Sequence, residues 1–358
     1  METILTINPG STSTKLAAYA DHKLVAEETI RHSMSEIEGF ETIVAQTDFR
    51  KELILTFIKD HNLGESLVAI VGRGGLLKPI VGGTYQVDEE MLVDLQMETY
   101  GSHASNLGGI LAHELGGVYH IPAFIVDPVV ADEMLPIARI SGLAGIERRS
   151  VSHVLNQKAV ARKILVENNL KYEEANVIVA HLGGGISIGA HQKGKMVDVV
   201  NGLDGEGPYS PERSGTLPLI DFAQEIIENK LTLTEVKRLI AGNSGLKSYL
   251  NETDLRPIAD KIDQGAEKET FYVDGMCYQI AKAIGEMATV LKGNVDYIIL
   301  TGGVAYSKYI VEKITEAVSW IANVETFPGE MEMEALYEGG LRVLTGEEKG
   351  LSYKNLDR

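Results

Sequence analysis

A single cysteine, Cys277, stands among the 358 residues. That excludes an intramolecular disulfide framework and a Cys-rich zinc site, and it suits a reducing compartment. No apolar run reaches the ~20 residues that a membrane-spanning helix needs. The opening Met1-Glu2-Thr3-Ile4-Leu5-Thr6 has no basic stretch leading into a long apolar one. No secretory signal is therefore expected, and a cytoplasmic location is. Basic residues are scarce as well: 33 Lys and Arg face 51 Asp and Glu, a net charge of −18. Such a balance excludes the basic face that nucleic acid or an anionic membrane would require. Pro/Ser-rich linkers and low-complexity tracts are missing too. What remains is an ordinary globular composition, 44% hydrophobic and 23% charged, which rules out disorder. At roughly 100–200 residues per domain, the length predicts two domains, each with a core of its own.

The chain opens with a short β-rich run, Thr3–Ile7, that ends in Asn8-Pro9-Gly10-Ser11-Thr12-Ser13-Thr14-Lys15. Leu16–Tyr19, a tight turn at Asp21-His22-Lys23 and Leu24–Ile30 follow, so the syntax is strand, polar turn, strand, tight turn, strand. The same syntax returns later: Asn176–Ala180, the turn His181-Leu182-Gly183-Gly184-Gly185-Ile186-Ser187, Ile188–His191, a turn at Gln192–Lys195, then Met196–Val200. Two such units predict an internal duplication. Between and after them helices are expected over Ile37–Asn62, Met91–Tyr100, Asn106–Tyr119, Val154–Asn168, Leu217–Asn229, Leu233–Ala241, Thr270–Leu291 and Met333–Leu344. Strands are expected at Leu67–Val71, Ala123–Val126 and Asp296–Leu300. This alternation implies an α/β fold with largely parallel sheets and helices on their faces. The division falls near Ser150: residues 1–150 plus a C-terminal helix at about 335–358 form one domain, and 151–334 the other.

A hairpin turn built from Gly, Ser, Thr and Lys offers backbone N–H groups, hydroxyls and an ammonium, the donors that phosphate oxygens seek. Asn8–Lys15 is such a turn, although it lacks the Gly-x-x-x-x-Gly-Lys spacing of a Walker A loop. Its phosphate-binding candidates are Gly10, Ser11, Thr12, Ser13 and Lys15. His181 with Gly183, Gly184 and Gly185 supplies a second set of close-approach positions. Asp127 ends an apolar strand, where open α/β sheets place their ligands; an Asp-Pro turn with Pro128 explains it equally well. Gly302, Gly303 and Val304 follow a further buried strand, where small residues admit a base or ribose, or simply begin a helix.

These four segments together resemble the acetate and sugar kinase/Hsp70/actin superfamily. Within it, Ile4–Lys15 and His181–Ser187 resemble the two signatures of the acetokinase family, and the likeness extends through His103, Asp127, Ser152-His153, Arg213-Ser214-Gly215, Asp254-Leu255-Arg256 and Gly302-Gly303. The resemblance implies two duplicated ribonuclease H-like (actin-like ATPase) domains with an interdomain nucleotide cleft. It also implies ATP and Mg²⁺ as cofactors, a small-molecule carboxylate as acceptor, and a homodimer or higher homo-oligomer. Members phosphorylate acetate, propionate or butyrate.

Departures from the acetate kinase pattern narrow this further. Where acetate kinases carry a substrate-clamping Arg, this chain has Ile70, with Arg73 three residues on. A phosphoryl-stabilising His is replaced by Arg149, while His153 is kept. Gly72 and Ser102 stand where two apolar residues crowd the acetate methyl, and the loss of bulk predicts room for a longer acyl chain, as in the butyrate-accepting branch. By the resemblance, Arg213, Arg149, Arg73, His153, Asp127 and Asn8 carry the reaction. His103, Gly72, Ser102 and Arg73 contact the acid. Asp254 and Arg256 join the nucleotide site, and Asp127, Asn8 and Glu334 hold the metal, with Glu330 and Glu332 in the same acidic run. Three alternatives stay open: a branched-chain, propionate or acetate kinase of the same family, a sugar kinase of the superfamily using Asp127 as a base, and a non-metabolic actin-like ATPase.

Overall fold

Runs rich in β-branched residues become strands wherever a polar turn stops them, and the computed structural model, which describes residues 2–354, has twelve such segments. In chain order they are β1 (Thr3–Pro9), β2 (Ser13–Ala20), β3 (Lys23–Arg31), β4 (Leu67–Arg73), β5 (Thr84–Gln86), β6 (Ala123–Val126), β7 (Asn176–Leu182), β8 (Ile186–Gln192), β9 (Lys195–Val199), β10 (Tyr297–Gly302), β11 (Asn323–Pro328) and β12 (Leu351–Ser352). They form two sheets, one of order β12-β5-β6-β4-β1-β2-β3 and one of order β11-β10-β7-β8-β9. In the first, β1 runs antiparallel to β2 and parallel to β4. In the second, β7 runs antiparallel to β8 and parallel to β10. The shared ribbon and its parallel neighbour bear out the duplication.

The chain divides into two units: one ends at Asp132 and resumes at Met331, and the other is Glu133–Glu330. The first division therefore falls before 133–150, not after it. The half-buried Glu133 pairs with buried Lys158 at 2.8 Å and accepts the Met196 N–H. Arg148 bonds Asp198 and the Val199 carbonyl, so this stretch is tied to β9. The C-terminal helix spans Glu332–Leu344, earlier than the 335 expected, and is followed by a short strand. Positions 355–358 of the expected range lie outside the described residues.

Each sheet is covered on both faces, and the period-2 alternation of a strand decides which side chain goes where. In the first unit Leu5, Ile7, Ile70 and Ile125 join the main core, and Gly72 faces the backbone of the Asn106–Tyr119 helix. Val71 and Val126 point the other way, against Gly340 and Gly339 of the Glu332–Leu344 helix. In the second unit Ile178, Ala180, Leu182, Ile298 and Leu300 pack with the 24-residue helix Glu267–Val290, while the Val154–Glu167 helix packs on β7 and β10. The expected helix over Ile37–Asn62 is instead Met34–Ile37, a 3-10 turn and Thr47–Asp60. Gly39 is costly in a helix interior, and the Thr42 hydroxyl accepts the Ala45 N–H, opening a new start. Among the described residues no helix is long and apolar enough to cross a membrane.

Candidate functional site

The first unit gathers its polar residues at the carboxyl ends of its parallel strands. Register places Ile7 beside Gly72, Gly72 beside Ile125, and Arg73 beside Val126. Asn8, Arg73 and Asp127 thus lie on one sheet edge. Asn8 and Arg73 follow the parity of the face under the Glu332–Leu344 helix, whose first residue meets both. Arg73 forms a two-pronged pair with Glu332, Nη2 to Oε1 and Nη1 to Oε2 at 3.0 Å each. Asn8 Nδ2 donates to Glu332 Oε2 at 2.7 Å, and Arg73 Nη1 donates to Asn8 Oδ1 at 3.3 Å. An acid in the first turn also suits the positive end of the helix dipole. Glu332, rather than Glu334, is therefore the carboxylate joined to Asn8.

Asp127 is buried with φ +37°, and its Oδ1 accepts the Gly83 N–H at 2.8 Å. The amide oxygen of Asn8 and the carboxylates of Asp127 and Glu332 are hard-oxygen donors, the kind Mg²⁺ prefers, and Asn8 and Glu332 also bond Arg73. Among the described residues no three His, Cys, Asp or Glu gather into a closed cage. A cation that keeps several of its waters needs none.

In the β1–β2 turn, Ser11 and Thr12 are exposed and Gly10 N–H donates to the Ser13 carbonyl at 2.8 Å. Lys15 leaves the turn: its ammonium pairs with Glu27 of β3 at 2.9 Å. Behind the turn sits a residue that sequence reasoning missed. Arg50 is fully buried, and its guanidinium donates to the carbonyls of Gly10 and Ser13, each at 2.9 Å, and of Ser11 at 3.3 Å. Gln46 Oε1 accepts from its Nε and Nη2. The spacing of Gln46 and Arg50, one helical turn apart, is the only signal the sequence held.

Of the acyl-site expectations, the one for Gly72 needs correction. A Cβ at Gly72 would collide with the Gly108 carbonyl, so the missing side chain admits the Asn106–Tyr119 helix, not a longer acyl chain. Ser102 is exposed and bonds Glu98 at 2.7 Å. His103 Nδ1 shares a 2.7 Å hydrogen bond with the Ser105 hydroxyl. Burial, and then the Arg73 charge, lower its pKa. Asn106 is buried holding the Leu76 N–H and the Gly101 carbonyl, which makes it a structural clamp.

In the second unit the β7–β8 turn is crowded. Gly183 N–H donates to the Gly185 carbonyl at 3.1 Å, and the Ser210 hydroxyl bonds the Gly184 carbonyl. The Arg213 guanidinium lies where a Cβ on Gly185 would go, and its Nη1 donates to the Gly202 carbonyl at 2.8 Å. Burial lowers the Arg213 pKa, and Glu212 acts in the opposite sense. The His153 and His181 rings stack at 3.8 Å, nearly parallel at 8°. His153 bonds the Ser187 hydroxyl, and His181 bonds Asn156 through Nδ1 and Glu330 through Nε2. Gly302 takes φ +90° against the Leu182 backbone, with buried Val304 in the turn after Gly303.

Arg149 is exposed and pairs with Asp204 at 2.7 Å, on the loop whose Gly202 anchors Arg213. Asp254 and Arg256 bond each other at the exposed start of the Leu255–Asp263 helix. The structure ties them to one another, not to the glycine turn.

Comparison with known proteins follows the same lines. Residues 141–327 match the acetokinase family. A protein of Enterococcus faecalis carrying the name "Probable butyrate kinase" is 65% identical over 353 residues, 99% of this chain and 98% of its own. "Butyrate kinase 1" of Clostridium acetobutylicum is 52% identical over 355 residues, covering 99% and 100%. The crystal structure of Porphyromonas gingivalis acetate kinase superposes with a TM-score of 0.79 at 20% identity, over 96% of this chain and 100% of that one. The chain belongs to the acetokinase family.

Proposed function

We propose that this chain transfers the γ-phosphoryl group of ATP to the carboxylate of a short-chain acid, butyrate above its shorter homologues. The P–O bond to ADP breaks as the bond to the carboxylate oxygen forms, giving an acyl phosphate, and the reverse reaction uses the same groups. The observation that carries the reading is the Arg213 guanidinium laid against Gly185 in the β7–β8 turn. A carboxylic acid has a reference pKa near ~4 and is already a nucleophile at neutral pH, so no base is required. The protein's task is in-line positioning and charge neutralisation on the transferring group. Guanidinium groups suit it through their fixed fork of donors: Arg213 in the second unit, which also holds the stacked His153 and His181, and Arg73 in the first. Mg²⁺, when bound, would be held through water by Asp127, Asn8 and Glu332 and would neutralise phosphate charge. The names of the two relatives above 50% identity support a four-carbon acid; with Gly72 filled by a helix, they are the support for chain length.

The test is ATP-dependent hydroxamate formation across acetate, propionate, butyrate, isobutyrate, valerate and glucose. The expected result is acyl hydroxamate with the highest kcat/KM for butyrate. ATP turnover indifferent to every carboxylate, or phosphorylation of the sugar alone, overturns the proposal.

A further inference from the structure

A trans peptide group points its C=O and the next residue's N–H in opposite directions. In the β1–β2 turn all four carbonyls from Gly10 to Ser13 are engaged: Gly10, Ser11 and Ser13 accept from Arg50, and Thr12 accepts the His32 N–H at 2.9 Å. The N–H groups of Ser11 and Thr12, opposite the first two, are thereby turned away from Arg50. Every hydrogen-bond partner of Arg50 is an uncharged oxygen: those three carbonyls, the Gln46 amide and the Thr14 hydroxyl at 3.1 Å. The cation is thus fully buried, and among the described residues no acid bonds it. Burial alone pulls its pKa down, to about 10, which still leaves it charged at neutral pH. A buried cation without a counter-charge is costly. The fold retains it directly behind a turn whose outer side is a row of amides and hydroxyls.

We infer that Arg50 is a positioning residue for phosphate: it fixes the amide row of the β1–β2 turn and lends that row a positive field that a polyphosphate completes. Arg50 does not touch the ligand; it acts through the carbonyls of Gly10, Ser11 and Ser13. Gln46, which holds the other side of the guanidinium, sets its orientation. The inference rests on the nucleotide kinase reading, and it adds to that reading the residue that shapes the phosphate subsite.

Binding of ATP, tripolyphosphate and adenosine to the full-length protein separates the possibilities. Arg50→Lys keeps the charge but loses the fork, and it is expected to weaken ATP and tripolyphosphate about ten- to a hundredfold while leaving adenosine unchanged. Ethylguanidinium is expected to restore part of the loss in Arg50→Ala. Gln46→Met, which leaves the cation in place, should give a smaller loss in the same direction and serves where the Arg50 variants do not fold. Equal weakening of adenosine and tripolyphosphate, or unchanged polyphosphate affinity in folded Arg50→Lys and Gln46→Met, overturns the inference. Wild-type protein that makes acyl phosphate while an Arg50 variant keeps its polyphosphate affinity sinks the inference alone. Wild-type protein that binds neither ATP nor tripolyphosphate sinks the kinase reading with it.

Discussion

The two ribbon turns share one repeated design, yet they meet their cations differently. In the β1–β2 turn Arg50 lies behind the carbonyls, and the outer side is left to amides and hydroxyls. In the β7–β8 turn Arg213 occupies the space over Gly185 itself. The helices covering the two sheets differ in the same way. One begins with Glu332, which meets Asn8 and Arg73. The other begins after His153 and supplies Asn156 to His181. A common backbone fixes where chemistry can occur; the residue at each covering-helix start and the side from which an arginine arrives fix what that chemistry is. One turn has a cation bound to its carbonyls, and the other has a cation laid over its glycine.

The sharpest break of this contrast is Arg213→Ala, expected to lower kcat by about 10²–10³ with little change in folding, read by steady-state kinetics and a melting curve. Turnover near wild type would remove Arg213 from the mechanism. Next comes a matched pair of substitutions. Gly185→Ala drives a methyl into the guanidinium and should cost on the order of 10² in kcat, as a misplacement near the reacting centre does. Gly10→Ala meets the Ser13 hydroxyl at 3.2 Å and the Ser13 carbonyl at an ordinary 3.6 Å, and should cost less than about threefold. Comparable losses in both would erase the distinction between the turns.

Smaller still is the effect at the acidic run. Glu332→Gln should reduce kcat/KM about tenfold by leaving Arg73 with a weaker partner, and Glu334→Gln should not; the reverse ranking would return the role to Glu334. The smallest effect appears only in stability. His191 is buried between the Tyr172 hydroxyl at 2.7 Å and Gln157 at 2.9 Å. Burial, then Lys158 and Arg162, push its pKa down to about 3. The folded state thus resists a proton that the unfolded chain accepts near ~6.5, so this stability is full above that pH and is lost on acidification. The slope is up to ~1.4 kcal/mol per pH unit between the two values. Urea midpoints at pH 7, 6 and 5 should fall in wild type and flatten in His191→Gln.

Much of this was legible in the chain. Asn106–Tyr119 carries its apolar period so plainly that the expected and observed helix coincide, and the two ribbons announced the duplication through their turns. Gly72 was misread because a missing side chain looks the same in sequence whether a ligand or a backbone fills the space. The 133–150 stretch was assigned to the wrong unit because Glu133–Lys158 is a contact between residues that no local pattern links. Arg50 showed itself only through its spacing from Gln46, since a buried arginine and a surface one are spelled alike.

Local preference and alternation, which act over a few residues, determined the strands, the helices, the paired turns and the family likeness. Only the folded chain decided that Glu332 joins Asn8 and Arg73, that Arg213 covers Gly185, and that Arg50 stands behind the first turn. Those pairings join residues from 28 to 324 positions apart, and packing, which answers to space and not to sequence distance, is what selects them.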